Sequence, residues 1–253
     1  MWTTIKNFHS PATPVDAWQA AREEGSTLIA GGTYLVADRP PGLHTLVNIR
    51  SLLPAEIAGD DNVVELGAGV TLQQLAADDT SRLGGLAKVA EQSCASVNIR
   101  SQRTLGGEVA HGRTDSDLMV LLHALKARLT LMAPEPVEVA LEDWDNQGLI
   151  GAMRIERGGL TNMATERFAL LPSARPFVVV AGARYGDRLH LAAGGSADRI
   201  SRAELGVAGL EKAQLVTISQ ALAEPFKDDH YGSREYKQAL IETAVGRIRE
   251  RLC

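Results

Sequence analysis

The chain is poor in cysteine, with only Cys94 and Cys253 in 253 residues. An iron–sulfur cluster ordinarily takes four thiolates, so this chain alone cannot hold one. A disulfide between a mid-chain residue and the last residue is not expected in a cytosolic protein, and two free thiols are the reading. Long apolar runs are also missing. None approaches the ~20 residues needed to span a bilayer, and the stretch Met1-Trp2-Thr3-Thr4-Ile5-Lys6 lacks the apolar core of a signal peptide. A soluble, cytoplasmic protein with no membrane partner is expected. There is no long basic run and the net charge is −5, which argues against a nucleic-acid partner. Internal repeats, low-complexity tracts and long linkers are absent.

What is present is a 45% hydrophobic content, enough for a real core and inconsistent with disorder. A chain of this length forms one large domain or two or three small ones. Glycine is the informative residue. With 24 glycines, chance predicts about two Gly-Gly pairs and five occur. Some of these are ordinary turns.

Read in order, Thr13-Pro14-Val15-Asp16 is a strong helix start, with Thr13 as cap, Pro14 in the first turn and Asp16 closing the box. Thr27 to Ala30 reads as a buried strand running straight into Gly31-Gly32-Thr33, and Thr45 to Ile49 as a second strand. Together they suggest a small α/β unit over residues 1 to 55. Asn62 to Leu66 is a strand bent by Gly67-Ala68-Gly69. Thr71 caps a short helix, and Leu86 to Cys94 is another. The stretch Asn98 to Met132 carries a glycine turn at Thr104-Leu105-Gly106-Gly107 and a polar loop from His111. An apolar helix follows, capped by Ser116 or Asp117, and then a strand. Pro134 and Pro136 interrupt that strand, and Val137 to Leu141 resumes it. Gly148 to Ile155 and Arg167 to Leu171 are further strands. Phe177 to Arg184 and Leu189 to Ala193 form a hairpin around Gly186-Asp187. Ser201-Arg202-Ala203-Glu204 reads as a capping box that starts two helical stretches ending at Ala223. A final helix is capped by Ser233, with Tyr236, Leu240, Ala244, Ile248 and Leu252 as its stripe. The mixture is α+β rather than a regular βαβ alternation.

Candidate chemistry sits at the glycine pairs. A strand ending in Ala30-Gly31-Gly32-Thr33 can aim successive N–H groups at an anion, or it can be a plain turn. No helix signal follows it directly, so it is not a Rossmann fingerprint. Thr104 to Gly107 with Asp117 is a second candidate. A carboxylate there would accept hydrogen bonds from a sugar hydroxyl or a ring N–H, or simply cap the helix. Asp228-Asp229-His230 has metal-ligand residue types but reads as a solvated loop. Arg100 and Arg103 can bind phosphate, or pair with Glu91 or Glu108.

Taken as an ordered set, these words resemble the FAD-binding medium subunit of the xanthine dehydrogenase and carbon monoxide dehydrogenase molybdenum hydroxylases. The matching words are Leu28-Ile29-Ala30-Gly31-Gly32-Thr33, Gly67-Ala68-Gly69-Val70-Thr71, Ile99-Arg100, Thr104-Leu105-Gly106-Gly107, Ser116-Asp117 and Gly232-Ser233-Arg234-Glu235-Tyr236-Lys237. The resemblance implies an α+β fold with a two-part FAD-binding cleft, residues 1–55 and 56–165, followed by a C-terminal α+β domain over 166–253. It implies FAD pyrophosphate on Ala30, Gly31, Gly32 and Thr33 with backbone of Leu28 and Ile29 and the adjoining Tyr34. Thr104, Gly106, Gly107 and Glu108 close on the cofactor, Asp117 contacts its ribityl or adenosine side, and Leu149 touches the isoalloxazine. No residue of this chain is a catalytic acid or base, because the flavin carries the redox chemistry. The partners implied are an iron–sulfur subunit and a molybdenum-cofactor subunit, with NAD or another acceptor taking the electrons. An FAD-free structural subunit with the same fold is the alternative. Three departures from the family pattern stand out, one of them the strand Phe177 to Ala181, which lacks the acidic and Lys residues often found before it. Glu108 follows the second Gly-Gly, where the family usually has Asn, and Tyr34 follows the first glycine word, where Asp is common. The carboxylate of Glu108 is expected near the cofactor, lowering the flavin potential or weakening pyrophosphate binding.

Overall fold

The computed structural model describes residues 4–78, 84–207 and 212–253. They build three sheets in sequence order. The first is parallel, in the order β1-β3-β2, with β1 at Asn7–His9, β2 at Ser26–Ile29 and β3 at Thr45–Asn48. Helix α1 (Pro14–Ala21) makes the crossover between β1 and β2. The Thr13 hydroxyl accepts from the Asp16 amide and Pro14 occupies the first turn, as expected for that cap. Ala17 is the helix residue fully buried against the sheet. Contrary to the sequence reading, a helix follows the first glycine pair directly: α2, Thr33–Asp38. The signal was missed because its N-cap is Gly32 in the left-handed region, φ +69°, with no capping side chain.

The second sheet is antiparallel and has the order β4-β5-β8-β6-β7. Its strands are β4 (Ile57–Gly59), β5 (Val63–Gly67), β6 (Arg128–Ala133), β7 (Val137–Ala140) and β8 (Leu149–Glu156). Between β5 and β6 the described residues make five helices: α3 (Leu72–Ala77), α4 (Gly84–Ser93), α5 (Val97–Arg100), α6 (Leu105–His111) and α7 (Asp117–Ala124). The expected glycine turn at Thr104–Gly107 is therefore the first turn of a helix. Thr104 caps it through the Gly107 amide, a cap that turn-like glycines obscure in the sequence. The Gly67–Thr71 bend straps this start in place. Leu105 donates its amide to Val70 O and Gly106 donates to Ala68 O, both at 2.8 Å. Helix α7 is apolar nearly all round and buries Leu118, Met119, Val120, Leu121 and Leu122. A helix of that kind belongs inside a core, and α7 packs between the second sheet's helices and the third sheet.

The third sheet is an antiparallel meander, β12-β11-β10-β9. It comprises β9 (Leu160–Phe168), β10 (Val178–Tyr185), β11 (Arg188–Gly195) and β12 (Ser201–Gly206). The Tyr185–Arg188 hairpin falls where Gly186-Asp187 put it. Two expectations are corrected. Ser201–Glu204 is not a capping box but strand β12, since its pairing with β11 satisfies the backbone. The strand expected at Arg167–Leu171 begins at Leu160 and ends at Phe168. Helix α8 (Lys212–Leu222) follows, and the expectation for 208–211 lies outside the described residues. Helix α9 (Arg234–Leu252) is capped by Ser233 and packs on β9 and β10. Its buried face is Lys237, Ile241, Ala244, Val245, Ile248 and Leu252. Tyr236 falls off this stripe and Leu240 is half-buried at its edge, because a helix advances 3.6 residues per turn rather than four. Close approach has a cause in Gly182 of β10, where a Cβ would stand 2.5 Å from Ile248 Cγ2. Cys94 and Cys253 are free thiols, as expected.

Candidate FAD site

Between the first sheet's α1, β2 and α2 and the second sheet's α6 lies a cavity of about 550 Å³. That volume is in the usual range of small-molecule and cofactor pockets. It is lined by Leu28, Ala30, Gly31, Gly32, Thr33 and Tyr34 on one wall and by Arg103, Thr104, Gly107, Ala110 and His111 on the other. Both glycine words, 70 residues apart and more, thus face one space. The backbone explains why glycine is needed. A Cβ on Gly31 would lie 1.9 Å from Gln102 O, so the turn after β2 can press against the segment leading into α6 only without a side chain. Gly107 presents its bare Cα to the cavity, and a Cβ there would crowd the capping hydroxyl of Thr104 at 2.9 Å. Since no side chain caps α2, its first-turn N–H groups are left for another acceptor.

Five of the expected site residues are not on the cavity wall: Ile29, Gly106, Glu108, Asp117 and Leu149. Gly106 instead faces Ala68, whose Cβ would be 2.7 Å from its own, so it serves packing of α6 on the 67–71 bend. Leu149 is buried at the start of β8, next to Gly148, which does line the cavity. Asp117 is buried and paired with Arg167, 3.0 Å away. Ser116, not Asp117, is the N-cap of α7. Burial raises the Asp117 pKa, opposed by Arg167.

Glu108 is the largest departure from expectation. Its side chain is 1% exposed and points into protein, where three donors meet it. Tyr34 Oη donates at 2.8 Å, Ser116 Oγ donates at 2.6 Å, and Arg103 Nη1 lies at 3.6 Å. The expected carboxylate beside the cofactor is thus consumed internally. Arg103 does what the sequence left open: it pairs with Glu108 and also lines the cavity, donating from Nε to Thr33 Oγ1 at 3.3 Å. Arg100 is structural; it is buried and donates to the carbonyls of Cys94 and Ala95. His111 stacks on Tyr34 with ring centroids 3.9 Å apart. Burial lowers its pKa, opposed by Asp38. Burial raises the Tyr34 hydroxyl far above its ordinary value, and the Glu108 charge adds to this.

Sequence reasoning missed Trp18 and Arg22 of α1 and the loop Trp144, Asn146, Gln147 and Gly148, all on the cavity wall. Trp18 lies in the helix that follows the Thr13 cap, where an apolar residue is expected for packing alone. Trp144 sits in a polar turn that carries no periodic signal, and only its size among polar neighbours marks it. Asp228–His230 forms no metal site: Asp229 pairs with Lys237 at 2.7 Å, and among the described residues no group of three His, Cys, Asp or Glu side chains could hold a metal ion.

A glycine-lined cleft between a small parallel α/β unit and a helix-bearing antiparallel sheet defines a protein that binds an extended, phosphate-bearing cofactor. The family model described as the FAD binding domain in molybdopterin dehydrogenase matches residues 4–148, and the chain belongs to that family. FAD is accordingly its cofactor, and the chain is part of an oxidoreductase. Among solved structures it is similar to quinoline 2-oxidoreductase from Pseudomonas putida 86, at 20% identity and TM-score 0.78 over 97% of this chain and 96% of that one. It is also similar to carbon monoxide dehydrogenase from Hydrogenophaga pseudoflava, at 18% identity and TM-score 0.79 over 98% and 99%. A third similar structure is reconstituted CO dehydrogenase from Oligotropha carboxidovorans, at 21% identity and TM-score 0.78 over 97% and 98%. At these identities the likeness shows the fold. No curated protein matches the chain by sequence. The residues present fit the cofactor: glycines at 31, 32 and 107 keep the walls bare of side chains, Arg103 supplies a cation on the wall, and the cavity is of suitable size.

Proposed function

We propose that the chain is the FAD-binding electron-transfer subunit of a multi-subunit molybdenum hydroxylase. In this reading electrons arrive from an iron–sulfur partner, fed by a molybdenum-cofactor subunit, and leave for NAD or another acceptor in the cytoplasm. The observation that carries it is the convergence of Ala30–Thr33 and Thr104–Gly107 on one cavity. The family to which the chain belongs and the solved structures it resembles, enzymes named for quinoline and carbon monoxide chemistry, support the same reading. With two cysteines the chain cannot supply the four thiolates of a cluster, which is the reason for assigning the clusters to a partner.

Bound FAD supplies the one- and two-electron chemistry. The residues of this chain bind and orient it. The bare backbone at Gly31, Gly32 and Gly107 would admit the pyrophosphate, with Thr33 and Arg103 to hold it, and Trp18 and Trp144 add aromatic rings to the cavity lining. A domain division is part of this proposal, with one boundary at residue 55 and the other moved from 165 to before Leu160, where β9 begins: the first two sheets hold the cofactor and the third caps them. The FAD-free alternative rests on Glu108 and the Phe177 strand, and of these Glu108 does not line the cavity. The test is an absorption spectrum of the purified full chain with heat release of any cofactor. A flavin band near ~450 nm and released FAD at one per chain are expected. A colourless chain that does not take up added FAD would overturn the reading in favour of a structural subunit.

A further inference from the structure

Tyr34 and Glu108 touch each other across the cleft. Tyr34 belongs to α2 on the first wall, Glu108 to α6 on the second. Tyr34 also stacks on His111, three residues beyond Glu108 and so on the same face of α6. The Arg103 guanidinium carbon lies 4.2 Å from the centre of the Tyr34 ring. Two groups at about 4 Å cannot share one ring face, so the ring is sandwiched between His111 and Arg103. Glu108 joins these parts and adds α7, because Ser116 Oγ, its second donor, also caps that helix through the Met119 amide. One buried carboxylate thereby links both cavity walls, the cap of α7 and the cation beside Thr33.

We propose that Glu108 is a positioning residue for FAD: through Tyr34 and Arg103 it holds the two glycine-lined walls at one spacing and keeps the Arg103 guanidinium over the cradle. The proposal rests on the chain's binding FAD. Its physical basis is preorganisation. A cleft whose walls are already joined spends less ordering free energy when the cofactor enters, and a cation fixed by a buried partner is aimed before the anion arrives. An unpaired buried Glu108 would be costly, so the carboxylate and its donors form a single unit.

The test is titration of full-length apo-protein with FAD, followed by flavin fluorescence over a range of NaCl concentrations, with melting temperatures recorded in parallel. Tyr34→Phe removes only the hydroxyl and keeps the ring sandwich, so it tests the idea even if Glu108→Gln folds poorly. Each single variant is expected to raise the FAD Kd about tenfold, the value of one charge-assisted hydrogen bond. The double variant should be scarcely worse than either single, far from the roughly hundredfold of independent effects. In Glu108→Gln the salt dependence of FAD binding should become shallower, as in Arg103→Gln. Lower melting temperature with unchanged affinity and salt dependence would mean a purely structural role and overturn the proposal, as would additive losses. Tighter binding with steeper salt dependence in Glu108→Gln would show that Glu108 competes with the cofactor for Arg103, and would also overturn it. Failure of the unmodified chain to bind FAD would remove the function itself, whereas normal binding with unaffected variants would remove only this inference.

Discussion

Arg167 Nε donates to Asp117 Oδ1 at 3.0 Å and so ties the end of β9 to the first residue of α7. The same guanidinium donates to Pro172 O and Ala174 O, both at 2.7 Å. A single side chain therefore pairs a buried carboxylate and pins the loop between β9 and β10, on which Leu170 and Leu171 stand exposed.

Replacing Arg167 by Ala leaves Asp117 buried without its partner and frees that loop. Breaking a buried pair from one side costs roughly 3–5 kcal/mol. Because Arg167 is partly exposed, the lower end, about 3 kcal/mol, is expected in urea unfolding. Limited proteolysis should cut first between residues 169 and 176. An unchanged digestion pattern would mean that the loop is held by something other than Arg167.

Gly31→Ala should separate the cradle from the 102–103 backbone. The added Cβ meets a backbone oxygen at 1.9 Å, which no rotamer relieves. A loss of about 1–3 kcal/mol is expected from such overpacking, together with at least a tenfold drop in FAD retention, read as flavin absorbance per chain. Gly32→Val, at φ +69°, should act in the same direction. Gly158→Ala is the control, since nothing lies within 4 Å of its added Cβ. Full FAD occupancy in Gly31→Ala would place the cradle elsewhere.

His123 predicts an acid-sensitive core. Burial, reinforced by the positive charge of Arg202, holds its pKa down to about 4, and its buried Nδ1 has no hydrogen-bond partner among the described residues. The unfolded chain takes up a proton here as pH falls below about 6.5, while the folded chain stays neutral until about 4. Stability is thus intact above 6.5 and is lost between these two values, by about 2–3 kcal/mol between pH 7 and 4.5. His111 and His190, also lowered by burial, add in the same direction. The measurement is the pH dependence of the urea midpoint against His123→Gln, which should be flatter. Parallel curves would exclude His123 as the source.

Lys237 is fully buried in α9, with Nζ 2.7 Å from Asp229 Oδ2 and donating to Lys227 O at 2.6 Å. Lys237→Met keeps the stem but removes the donor shared by both acceptors; Asp229 stays partly exposed and keeps the Tyr231 amide, so about 1–3 kcal/mol is expected. Adding Asp229→Asn should recover part of this, because the pair acts together. A double variant no better than the single would show that the ion pair itself contributes little.

What was legible in the sequence was local. Thr13, Thr71 and Ser233 cap their helices as read, because a cap is decided within four residues. The hairpin at Gly186-Asp187 followed from its turn for the same reason. Where local and long-range signals disagreed, the structure followed the long-range one. Ser201–Glu204 has a cap's composition, yet it pairs with β11. The polar first half of β9 carries no apolar alternation, yet it pairs with β10. At the site, the glycine words and Arg103 were readable as types of residue, but the direction of each side chain was not. Glu108 belongs to the first turn of a helix read as a loop, so nothing in its neighbours told that it points away from the cavity. Trp18 and Trp144 come from distant segments, and only the fold brings them to one cavity.

The strand order carries a practical consequence. The family match ends at residue 148, and β8, which begins at Leu149, is the middle strand of the five-stranded sheet, between β5 and β6. A fragment cut at the family boundary would split that sheet in two and bare the long edges of both halves. Exposed edges of this kind invite pairing between chains, so the matching region should precipitate when made alone. The smallest soluble unit that holds the cofactor must continue past Glu156.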